Sequence, residues 1–112
     1  MPPEGGAVRW GSLQVVSAQL GAVPKVLARG QPREKDLEGR APCLVGRSSQ
    51  SFLRCSKLVT WVSNQHFSLS LGAAGPQLTD LSTNGTWLNG VRLEPGVPRP
   101  LQFGDLIQLA SS

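Results

Sequence analysis

The apolar residues of this chain arrive in short runs, each soon cut off by glycine, proline, asparagine or aspartate, and that pattern restricts the fold more than any other feature. Residues 8–16, 23–28, 42–46, 66–71, 77–81, 86–88, 91–93 and 106–110 each read as a strand, and almost nothing reads as a helix. HFSLSL shows it best. Phe67, Leu69 and Leu71 alternate with Ser68 and Ser70, so one face meets a core and the other meets water. GAAGP, between Leu71 and Gln77, suits a short hairpin loop. Asn89-Gly90, between TWL and VRL, is the dipeptide of a two-residue type I′ hairpin. Many short strands at this spacing predict an all-β sandwich or barrel.

The length of 112 residues, with 13 glycines and 9 prolines, suits one domain with a modest core. Residues 1–7 are expected to be a flexible N-terminus and residues 8–112 the folded unit. Within it, GQPREKDLEGRAP at 30–42 reads as a charged loop insert with room for one helical turn at 34–37. The net charge is +4 and the pI ≈ 9.8, but the 11 Lys and Arg are scattered from Arg9 to Arg99. That favours acidic partners without marking a nucleic-acid stripe. Cys43 and Cys55 fit no metal spacing and are too few for a disulfide scaffold; they read as reduced thiols of an intracellular protein, one disulfide being the alternative. MPPEGGAVRW has no signal-peptide core, and no run nears the roughly 20 apolar residues of a membrane span. A monomeric domain in cytosol or nucleus, trimmed from a longer protein shortly after its last strand, is the expectation.

Three polar islands fall at strand ends: LVGRSS, VSNQHF and DLSTNGTWLNG. Loops of a sandwich gather at its two ends, so islands distant in sequence can share one surface. Arg47, Ser63, Asn64, Ser82, Thr83 and Asn84 would then supply guanidinium, hydroxyl and amide groups, an inventory for an oxyanion. Two other functions compete with this one. Ser63 near His66 suggests a nucleophile and base, but the chain has no G-x-S-x-G elbow and no acidic third member in evidence. A nucleic-acid-binding β domain fits the pI and three tryptophans, yet clustered basic residues and stacking aromatics in register are missing. His66 is the lone histidine, with no acidic or cysteine cluster to complete a metal site, so neither metal nor cofactor is expected.

In order and spacing, GRS at Gly46, SNQHF at Ser63, STNGTWLNG at Ser82 and the final Gly104, Asp105, Ile107 and Leu109 resemble the forkhead-associated (FHA) domain. WGSL at Trp10 and the charged insert look most like the FHA domains of checkpoint kinases. The resemblance implies a β-sandwich of two twisted, mainly antiparallel sheets. Loops at one end would bind phosphothreonine in an extended peptide or protein, in signalling or DNA-damage-type assembly, with no catalysis. It favours the nucleus. Carried over position by position, Arg47 and Ser63 reach the phosphate, Asn64 and Thr83 line the phosphothreonine pocket, Asn84 holds the ligand backbone, and Ser82, in the same loop, faces the ligand as a further phosphopeptide-binding residue. Gly46, His66 and Gly85 brace the loops. Trp61 stands where some of these domains carry a basic residue that selects the side chain three places after the phosphothreonine, so an acidic preference there is not implied.

Overall fold

The computed structural model describes residues 9–14, 30, 34–39, 41–57 and 60–109; the strand expected at 23–28 lies outside them, as do residues 1–7. Among the described residues all regular structure is strand. The elements are β1 (Arg9–Gln14), β2 (Glu34–Glu38), β3 (Cys43–Gly46), β4 (Leu53–Arg54), β5 (Phe67–Gly72), β6 (Gly75–Asp80), β7 (Thr86–Leu88), β8 (Val91–Arg92), β9 (Arg99–Pro100) and β10 (Ile107–Leu109).

A five-stranded sheet runs β4-β3-β5-β6-β9, a three-stranded sheet runs β10-β7-β8, and β1 pairs with β2 as a separate ribbon. Every pairing is antiparallel except β3 with β4. Register follows the alternation that the sequence shows. Val45, Phe67 and Leu53 line up across neighbouring strands, as do Cys43, Leu69 and Leu78, and all are buried. Leu88, Ile107 and Leu109 of the smaller sheet pack against that cluster, which closes a sandwich around one core. Trp10 also packs there, with its indole N–H donating to the Gly39 carbonyl at 2.9 Å. Both cysteines are free and buried, and desolvation pushes the Cys55 thiol up to about 11.

The hairpins form where turn chemistry places them. Ala73-Ala74 connects β5 to β6, and Asn89 and Gly90 both take positive φ, 51° and 84°, between β7 and β8. At 34–37 the outcome differs from the expected helical turn, because those residues lie in β2. Glu34, Asp36 and Glu38 face out, while Leu37 enters the core and Lys35 turns inward. The Lys35 ammonium donates to the Phe52 carbonyl at 2.5 Å and lies 4.2 Å from the centre of that ring. A lysine thus occupies a core-side position by burying its stem and capping a backbone carbonyl.

Candidate functional site

The connections β3–β4, β4–β5 and β6–β7 meet at one end of the sandwich and are bonded to one another. Directly after β3, the Arg47 amide donates to the Ser63 carbonyl at 3.1 Å and the Ser48 amide to the Asn64 carbonyl at 3.0 Å. Only glycine permits this approach at position 46. A Cβ there would stand 2.2 Å from the Asn64 carbonyl oxygen and 2.8 Å from that of Ser63.

His66 joins the second and third loops from a fully buried position. Its Nδ1 accepts the Ser63 amide at 3.0 Å, so the proton resides on Nε2, which donates to the Gly85 carbonyl at 2.8 Å. Burial lowers the imidazole pKa from its ordinary value, opposed by the bond to Gly85 and by the charge of Asp80. Asp80 is buried at the end of β6, where one carboxylate oxygen accepts the Ser82 amide at 3.0 Å, the Ser82 hydroxyl at 2.6 Å and the Thr86 hydroxyl at 2.8 Å. The Ser82 hydroxyl in turn accepts the Gly85 amide at 2.8 Å.

The groups left at the surface are these. The Ser63 hydroxyl accepts the Thr83 amide at 3.1 Å and keeps its own proton to donate. Asn84 gives one amide proton to the Trp61 carbonyl at 3.0 Å, leaving the other proton and its oxygen available. Arg47 donates through Nε to the Val62 carbonyl and through Nη1 to that of Lys57 at 3.5 Å, so Nη2 has no partner among the described residues. Asn64 and Thr83 are exposed. Arg47, Ser63, Asn64, Thr83 and Asn84 are therefore brought together with unspent donors. Ser82 lies in the same loop, but its hydroxyl proton is committed to Asp80. The Trp61 ring is half-buried against the core, with its carbonyl serving Asn84.

Sequence reasoning missed the role of Asp80 as a three-proton acceptor for Ser82 and Thr86; a buried carboxylate at a strand end announces itself only by the hydroxyls two and six positions on. It also missed that the Trp61 backbone anchors Asn84, which no residue type signals. Among the described residues no three His, Cys, Asp or Glu side chains group to hold a metal ion.

A model of the FHA domain family matches residues 43–110. The serine/threonine-protein kinase RAD53 of Saccharomyces cerevisiae is 46% identical over 50 residues, which is 44% of this chain and 6% of that protein. The chain thus spans a small fraction of that kinase. Among solved structures, the N-terminal FHA domain of S. cerevisiae Rad53p in complex with a phosphothreonine peptide superposes with a TM-score of 0.62 at 30% identity, over 73% of this chain and 76% of the other. An engineered FHA domain with a Myc-pTBD peptide reaches 0.66 at 27% identity, over 79% and 83%. With the β-sandwich, the four motif blocks and a family match across well over half of its length, the chain belongs to the FHA domain family.

Proposed function

We propose that this domain is a phosphothreonine-dependent module for binding a peptide or protein, and not an enzyme. The observation that carries the reading is the convergence of unspent donors from three loops: the Arg47 guanidinium, the Ser63 hydroxyl and the Asn84 amide. An arginine fork and a hydroxyl suit a phosphate, and charge-assisted bonds of this kind are the strong ones. An amide with one donor and one acceptor to spare suits the backbone of an extended peptide. The phosphothreonine peptide seated on the related Rad53p domain supports this ligand class.

Arg47 and Ser63 hold the phosphate, Asn64 and Thr83 line the pocket, and Asn84 holds the ligand backbone. Ser82, Gly46, His66 and Gly85 keep the loops in place. The exposed part of Trp61 favours an apolar side chain three positions after the phosphothreonine. Residues 8–112 form the FHA unit. In a parent protein the module acts inside the cell, in nuclear signalling or DNA-damage-type assembly, as a monomer by itself.

The test is a titration of one phosphothreonine peptide against its dephosphorylated twin and against single-stranded DNA, with wild type and Arg47→Ala. Selective binding of the phosphopeptide by wild type, reduced at least about tenfold by the substitution, is expected from charge-assisted bonds worth roughly 1.5–3 kcal/mol. A folded Arg47→Ala domain that binds as well as wild type overturns the assignment.

A further inference from the structure

The β7–β8 hairpin sets Trp87 directly opposite Arg92, on the sheet face that looks away from the core. The guanidinium carbon lies 5.4 Å from the centre of the indole ring. Both side chains press against the recognition loop at Gly85. A Cβ at that position, where φ is +108°, would meet Arg92 Nε at 2.9 Å and two Trp87 ring atoms at 3.1 Å. The missing side chain thus lets the stack lie against the loop one residue from Asn84. Gly85 has a backbone reason to be glycine, and this contact is a second one.

Arg92 is exposed and forms no ion pair among the described residues, where the salt bridge recorded joins Arg9 to Asp36. A guanidinium held beside an indole gives none of its N–H groups to a conventional acceptor there, so they stay available as a fork that matches a carboxylate. Indole packing also holds the long side chain in one place, which reduces the entropy lost when an anion docks.

We propose that Arg92, held on Trp87 against Gly85, is a second anion-reading position that selects an acidic side chain of the bound peptide, flanking the segment held by Asn84. This rests on the phosphothreonine-peptide reading above. It differs from the Arg47 position in its ligand and in its place on a strand instead of a loop. A peptide carrying aspartate or glutamate at the flanking position completes the fork without displacing any protein contact.

The experiment is an oriented phosphothreonine-peptide library read with wild type, Arg92→Gln and Arg92→Glu, followed by wild-type titrations at low and high salt with two peptides that differ by aspartate against asparagine at the selected position. Wild type should enrich acidic residues at one flanking position, by about two- to fivefold in affinity as exposed ion pairs provide. Arg92→Gln should lose that enrichment, and Arg92→Glu should turn it toward lysine and arginine. Salt should shrink the wild-type difference between the two peptides, and this arm stands even if a variant fails to fold. An acidic preference that persists in Arg92→Gln, or phospho-dependent binding with no charge preference beside the phosphothreonine, overturns the Arg92 assignment and leaves the phosphothreonine reading intact. Absence of phospho-dependent binding by wild type overturns both.

Discussion

Gly46 and His66 show how much of this site is built from residues that offer a ligand nothing. Gly46→Ala forces a methyl into the backbone carbonyls of Ser63 and Asn64, neither of which is the movable end of a side chain. The substitution should cost about 3 kcal/mol, measured by urea unfolding, and should weaken phosphopeptide binding through loop displacement. His66 makes a pH prediction. Its folded-state pKa is lowered, so the unfolded chain takes up a proton that the folded chain refuses. The contribution of the neutral ring is complete above the unfolded value of about 6.5 and is lost as pH falls through the lower folded value. The physical reason is visible: a proton on Nδ1 would face the Ser63 amide, donor against donor. The urea midpoint of wild type should therefore fall on acidification below about pH 6.5, and His66→Gln should lack that slope.

Among the elements, the Asn89-Gly90 turn is clasped to the turn before β10, at the end of β7 away from the recognition loops. The Asn89 amide donates to Asp105 at 3.0 Å and its oxygen accepts the Leu106 amide at 2.9 Å. Hydrogen bonds from Asn89, then from the Gln102 amide, hold the Asp105 carboxyl below its ordinary pKa. Asn89→Ala loses the clasp and must still hold φ near +51°, so it should destabilise by about 1–2 kcal/mol. Affinity for a phosphopeptide with no acidic flanking residue should not change, because the bonds that hold Arg47, Ser63 and Asn84 are separate from the clasp; calorimetry on the folded variant checks this. The same hairpin was legible in the sequence, since Asn-Gly states its turn type. So were β5 and β6, where apolar and polar residues alternate. The strand at 34–38 was not. EKDLE has one apolar residue, and its second inward residue is Lys35, whose reason for facing inward, Phe52, lies far along the chain. The two-residue strands β4 and β9 were equally hidden, because their pairing is dictated by neighbouring strands and not by residue type; Arg99–Pro100 joins only at a sheet edge, where proline is tolerated. For the candidate site, side-chain chemistry pointed to three loops that the fold brings together, but the inward turn of the Ser82 hydroxyl depended on Asp80 being buried.

For the molecule as a whole, a ligand that joins three loops already bonded to the core should stabilise the entire fold. A phosphopeptide at about one hundred times its Kd should contribute roughly 2.7 kcal/mol, a rise in Tm on the order of 10 °C. The dephosphorylated twin should leave the melting curve in place. Differential scanning calorimetry reads both. The imidazole bridge between the Ser63 amide and the Gly85 carbonyl has a further consequence for anyone redirecting this domain to a new target. Segments 63–66 and 82–85 form one cassette, and a graft that imports either without the other leaves an orphaned donor or acceptor beside a sealed ring. Trp61 and Arg92 stand outside that cassette, so diversity introduced at those two positions can change what is read while the frame that reads it stays whole.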